Sequence, residues 1–343
     1  MVDERNDAGR LLTRLDRRGF LRAALAASAG GAALYTVGCG SGSSKSGTPT
    51  NASAMVSPSA RAGTPSTTNP SGITPSMLTS EFVANHDNRF AVGLVTAQKK
   101  LVKDAAVHLR FFTLGSDGKT GTLRGEGDAT YIELDVAGAH VHDSSGKDDI
   151  SDNSVSFYEV NTPFDVAGKW AVEITATPND GSKPSQVQAP FDVVQKTATP
   201  WYGEVPPASQ NDTAATNPPG STICSRQPPC PLHDRVIADV LGKGKPLVVQ
   251  FSTPAFCQTR FCGPVLEVLL KQVPSYEDKI DFVHIEVWQD FQLQKERPAM
   301  GEWHLTTEPW TFFMGSDGKV VERFESIFSE AELTAALDKT AAA

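Results

Sequence analysis

Two stretches of the chain cannot supply a packed core, and they divide everything else. From Gly40 to Ser80 the residues are mainly Ser, Thr, Pro, Gly, Ala and Asn, with no aromatic and no acidic side chain. Such a segment buries too little apolar area to offset the entropy of ordering it. Residues 39–80 are therefore expected as a flexible stalk. A second stretch, residues 196–221, carries Pro200, Pro206, Pro207, Pro218 and Pro219 and is expected as a linker. The segments 1–38, 81–195 and 222–343 remain, and a chain of 343 residues suits more than one domain. A net charge of −9 offers no basic field to displace phosphate counterions, which excludes a general nucleic-acid binder.

Residues 1–38 read as an address. The run Asp16-Arg17-Arg18-Gly19-Phe20-Leu21-Arg22 resembles a twin-arginine export signal, with Arg17 and Arg18 as its pair. An uncharged Ala- and Gly-rich stretch follows and ends in Thr36-Val37-Gly38-Cys39, which resembles a lipoprotein processing site. The resemblance implies cleavage before Cys39, lipid on its thiol, and a body anchored at the outer face of the cytoplasmic membrane. Thr36 stands where that family usually has Leu. The stretch itself is too weakly apolar for a permanent span. Outside the cytoplasm, disulfides persist.

Residues 81–195 alternate apolar and polar positions in short runs, as half-buried strands do. The runs are Phe90–Val95, Ala106–Phe112, Thr130–Leu134, Val155–Val160, Gly168–Ile174 and Pro190–Val194, with turn signals at Ser116-Asp117-Gly118 and Asn179-Asp180-Gly181. An all-β antiparallel sandwich is expected. The phrase Phe164-Asp165-Val166-Ala167-Gly168-Lys169-Trp170 resembles the penultimate strand of exported immunoglobulin-like domains. His140 and His142 flank Val141, so on a strand both rings face one side and are candidate metal ligands.

Residues 222–343 change period. Helical spacing over 233–241 precedes a continuous apolar run, Pro246–Phe251, the pattern of a buried strand. A helix over Val265–Val273, a strand over Ile280–Val287, and a hairpin around Ser316-Asp317-Gly318 follow. Ser329-Glu330-Ala331-Glu332 has capping-box spacing ahead of a last helix. This is an α/β layout. Val248–Phe251 followed by Cys257-Gln258-Thr259-Arg260-Phe261-Cys262-Gly263-Pro264 resembles the strand–cysteine–helix segment of the thioredoxin superfamily. Thr307-Glu308-Pro309-Trp310 is similar to that family's cis-proline segment. The resemblance covers roughly 230–341 and implies redox chemistry at the cysteines, with Pro309 beside them.

The spacing departs from that family, because Cys257 and Cys262 stand in a Cys-x4-Cys arrangement. On one continuous helix such positions rise about 7.5 Å along the axis and face different sides, whereas a disulfide needs Cα atoms within about 7 Å. Cys257 is therefore expected in the loop before the helix, folded back over Cys262. There the helix dipole favours a thiolate, and Arg260 would add to it. Cys257 is the expected nucleophile and Cys262 the resolving thiol, against an inert staple as the bland alternative. Cys224 and Cys230 close a Pro-containing loop and are expected as a structural disulfide.

The function expected is a membrane-anchored thiol–disulfide oxidoreductase with no required cofactor. Its partners would be exported protein thiols or disulfides, or a membrane electron donor. The alternatives are a non-catalytic scaffold or a copper chaperone similar to the Sco family, with His304 as the third ligand beside two thiols. His86, His108, His233 and His284 form no evident cluster in the sequence.

Overall fold

Alternation of apolar and polar residues builds the first part of the chain from strands, in a computed structural model that describes residues 57–63, 68–70, 72–118, 121–135, 154–257 and 261–343. The expectations for Arg17, Arg18, Cys39, His140, His142 and Arg260 lie outside the described residues. The strands are β1 (Ser57–Gly63), β2 (Thr74–Met77), β3 (Phe82–Val83), β4 (His86–Val95), β5 (Ala106–Leu114), β6 (Gly121–Asp135), β7 (Ser154–Phe164), β8 (Gly168–Thr177) and β9 (Ser185–Val194). They hydrogen-bond in the order β2-β4-β7-β6-β5-β8-β9-β3, with β1 added to β6. One curled sheet results because β6 serves both halves. Its residues 121–129 pair with β5, and its residues 130–135 pair with β7. A register shift opposite Phe111 and Phe112, beside Gly125, re-aims the long strand. The curl brings Phe90 of β4 and Phe164 of β7 against Phe111 of β5 and Trp170 of β8 in one aromatic core.

β1 and β2 fall inside the stretch expected as stalk. Backbone pairing to β6 and β4 orders them, where side-chain burial alone gave no reason for order.

The remainder mixes helices with strands. Its elements are α1 (Ile237–Val240), β10 (Leu247–Ser252), α2 (Cys262–Tyr276), β11 (Asp281–Glu286), β12 (Trp288–Asp290), β13 (Lys295–Glu296), α3 (Pro298–Glu302), β14 (Trp310–Met314), β15 (Val320–Glu325) and α4 (Glu330–Ala341). A sheet of order β11-β10-β14-β15 lies at the centre, β10 and β11 parallel and the other pairs antiparallel. Residues of α2 and α4 (Val265, Leu269, Leu333, Leu337) share one core with Val248, Phe282 and Phe313. Residues of α1 and α3 (Ile237, Met300) share another with Val249, Phe251 and Phe312. β10, β11 and β14 are buried along their whole length between these two cores.

The helix expected over 233–241 forms only the single turn Ile237–Val240. Tertiary pairing overrides the periodicity there, since the Leu232 carbonyl accepts a hydrogen bond from the His284 amide at 2.9 Å. Residues 196–221 contain no helix or strand, yet they are held in place. Arg323 donates to Thr199 Oγ1 and to the Pro200 carbonyl, both at 2.8 Å. Arg297 donates to Asn217 Oδ1 at 3.0 Å and pairs with Asp212. Among the described residues, no helix is long and apolar enough to cross a membrane.

Candidate functional site

The C-terminal end of β10 delivers the chain into a turn, Thr253–Phe256, and then to Cys257. α2 begins five positions later, with Cys262 as its first residue. Cys257 is half-buried, while Cys262 is 0% exposed. The backbone N–H of Cys262 donates to Cys257 Sγ at 3.4 Å, so the loop sulfur sits over the free amide of the helix start. A helix-start amide, which has no acceptor within the helix, stabilises negative charge on a sulfur that accepts from it. Burial pushes the Cys262 thiol well above its ordinary range, and the neighbouring Cys257 sulfur pushes it further. Neither thiol is in a disulfide, and the two are unequal: Cys257 is half-buried, while Cys262 is enclosed and held protonated by burial.

A third group completes the cluster. β14 pairs antiparallel with β10, Trp310 opposite Phe251, which carries the preceding residues to the mouth of α2. The Glu308–Pro309 peptide is cis. A carboxylate oxygen of Glu308 and the sulfurs of Cys257 and Cys262 all lie within 4.8 Å of one another. Burial, and then the charge of Cys257, push the Glu308 carboxyl up to about 9. Its Oε2 is buried without a hydrogen-bond partner. Pro309 was the residue singled out by sequence. Nothing in the local motif marks Glu308 except its place as a carboxylate next to an expected cis-proline.

His304 does not join the pair. It follows α3 with φ 55° and is exposed, while its neighbour Trp303 packs at 5.0 Å from both Phe251 and Phe312. Burying Trp303 turns residue 304 outward, so Glu308 stands in the third place that the copper-chaperone alternative gives to His304. Cys224 and Cys230, expected as a disulfide, are both free and buried. They face His233 and His284 instead, two histidines in which the sequence showed no cluster. The parallel register of β10 and β11 brings His284 there, a long-range pairing that local spacing does not encode.

Beside the reachable thiol, Phe256 is 38% exposed and stacks on Phe291, with ring centroids 4.3 Å apart.

No protein-family model matches the chain, and no curated protein matches it. Among solved structures it is similar to FetP of uropathogenic E. coli strain F11, as isolated after recombinant expression in the E. coli periplasm. That likeness has 9% identity, covers 40% of this chain and 97% of that one, and has a TM-score of 0.23. Similarity to AvmM, described as catalysing macrocyclization in alchivemycin A biosynthesis, has 9% identity, covers 39% and 97% of the two chains, and has a TM-score of 0.21. For the soluble domain of PmoD from Methylocystis sp. ATCC 49242 (Rockwell) the values are 15%, 41% and 98%, with a TM-score of 0.17. Overlaps with scores this low carry no argument about fold or function here.

Proposed function

We propose that this chain is a thiol–disulfide oxidoreductase of thioredoxin-like type, exported and lipid-anchored through Cys39, with Cys257 attacking and Cys262 resolving. One observation carries the reading: the half-buried Cys257 sulfur accepts the amide of the enclosed Cys262 at the start of α2. Support also comes from the order strand–helix–strand, then hairpin–helix.

In the reductive direction, the Cys257 thiolate attacks one sulfur of a partner disulfide. A mixed disulfide forms, the partner's S–S bond breaks, and the leaving thiolate takes the Glu308 proton. The Glu308 carboxylate then accepts the proton of Cys262. The new Cys262 thiolate attacks Cys257 Sγ, forms the Cys257–Cys262 disulfide and expels the second partner thiolate. Two electrons pass to the partner, and the pair is left oxidised until another dithiol reduces it. The reverse sequence oxidises a partner dithiol. Exported protein thiols or disulfides, or a membrane electron donor, are the partners this chemistry takes, and the stacked Phe256 and Phe291 give an apolar shoulder beside the reactive sulfur.

Turnover of a chromogenic small disulfide tests the assignment. Cys257→Ser is expected to lose about a hundredfold or more in rate. Cys262→Ser is expected to retain the attack and accumulate a mixed disulfide on Cys257, detectable by mass. Equal, undiminished rates in wild type and Cys257→Ser would refute the role. The copper-chaperone reading has one observation in its favour, the grouping of Cys257, Cys262 and Glu308. A carboxylate in place of an imidazole suits Cu(I) poorly, which ranks it second.

A further inference from the structure

The four atoms that meet behind the reactive loop all carry lone pairs and enclose one point. Cys230 Sγ lies 3.2 Å from His233 Nε2 and 3.3 Å from His284 Nδ1. Cys224 Sγ lies 3.8 Å from His284 Nδ1, and the two imidazole nitrogens are 3.1 Å apart. A tetrahedral zinc ion, with bonds of about 2.3 Å to sulfur and about 2.0–2.1 Å to nitrogen, spaces its ligands at edges of about 3.3–3.8 Å. The four atoms fall close to that figure and all lie within 4.8 Å of one another.

The surroundings select the donor forms. His284 Nε2 donates to Ser252, whose Oγ is 2.8 Å away and whose carbonyl is 3.2 Å away. That bond places the proton on Nε2 and leaves the Nδ1 lone pair facing the cluster, the usual arrangement of a histidine ligand held from outside. Every one of the four residues is at most 5% exposed, so no direction remains open for substrate or water. Two thiolates and two neutral imidazoles around Zn²⁺ have no net charge, which suits such enclosure.

We infer that Cys224, Cys230, His233 and His284 form a closed structural zinc site. Binding releases the two thiol protons and consumes no oxidant. The ion clips residues 224–233 onto β11. From that clip the Ser225 amide reaches Glu286 Oε2 at 2.6 Å, and Ser225 Oγ accepts the Ala255 amide at 3.1 Å. Arg226 adds a two-point pair to Glu267 of α2, at 2.6 and 3.2 Å. The site thus fixes the turn that presents Cys257 without taking part in exchange.

The test is metal analysis and native mass spectrometry of the full chain, purified under thiol-protecting conditions and supplied with zinc salt. About one zinc per chain is expected. The same content is expected in a Cys257→Ser/Cys262→Ser variant, and a loss of about tenfold or more in Cys230→Ser or His284→Ala. Alkylation of the wild type keeps the result decisive if those single variants do not fold. Cys224 and Cys230 should resist the reagent in the native chain and become reactive once a chelator removes the ion. A Cys224–Cys230 disulfide found by peptide mapping, copper in place of zinc, or no zinc uptake by the reduced chain would each overturn the inference.

Discussion

Glu308 shows how one side chain couples chemistry to stability. Its carboxyl is raised to about 9 in the folded chain, from 4.5, by burial first and by Cys257 second. A group raised in this way binds its proton more tightly folded than unfolded. It costs nothing below pH 4.5, and it lowers stability progressively as pH climbs towards 9. Glu308→Gln is therefore expected to raise stability at pH 8 by on the order of 2 kcal/mol, with no gain at pH 4, because solvent screening discounts the full shift. Thermal melts of both proteins across that range check the sign. In exchange assays the same variant should slow resolution of the mixed disulfide, since Cys262 loses its base. At this scale the sequence was partly legible. Cys257, Cys262 and Pro309 could be named because they lie in local motifs. Glu308 and His284 could not, because their positions come from the register of β10 with β14 and β11, and His233 comes to the cluster through the loop that the His284 amide holds at the Leu232 carbonyl.

At the scale of elements, α4 shows a local signal and a long-range one meeting on one residue. Ser329 and Glu332 form the capping box that their spacing indicates, Ser329 Oγ accepting the Glu332 amide at 3.1 Å. Glu332 also holds Arg89 of β4, with Nε 2.6 Å from its Oε1, while Arg89 lies 2.7 Å from Glu159 of β7. Burial pushes Glu159 up to about 7 against the pull of Arg89. For Glu332 burial acts the same way and is the largest single influence, but Arg89 and the hydrogen bonds from Ser329 together outweigh it and the carboxyl is lowered. Ser329→Ala is expected to cost about 1 kcal/mol, measured by denaturant unfolding. Arg89→Ala is expected to cost on the order of 3 kcal/mol, because it strands buried carboxylates. With Arg89 gone, the raised Glu159 loses stability as pH rises through and above 7, so the deficit should be larger at pH 8 than at pH 5. The strands over 90–95, 155–160 and 168–174 were readable from alternation alone. The first half of β6 was not: Gly125 and Gly127 interrupt its pattern, and its order comes from β1 and β5.

Across the whole molecule, composition suggested separate domains, but the described chain shares a core. Leu78, Ala91, Leu134 and Phe157 from the all-β part pack in one cluster with Val265, Phe324 and Leu333. Ser80 and Glu81 amides donate to Glu325 Oε2 at 2.8 and 3.0 Å, adding polar ties across the same boundary. Calorimetry of the full chain is expected to give one cooperative transition, coincident with loss of circular dichroism. Two well-separated transitions would show that the shared core contributes little. In the proposed chemistry, that shared core carries the half-buried Cys257 over the enclosed Cys262. The most direct test is equilibration of the full chain in thiol–disulfide buffers, with the Cys257–Cys262 bond quantified by alkylation and mass. A reversible bond with a potential between about −270 and −120 mV, in the range of exchange catalysts, is expected. A bond that stays oxidised below about −300 mV, or a pair that never joins, would contradict it.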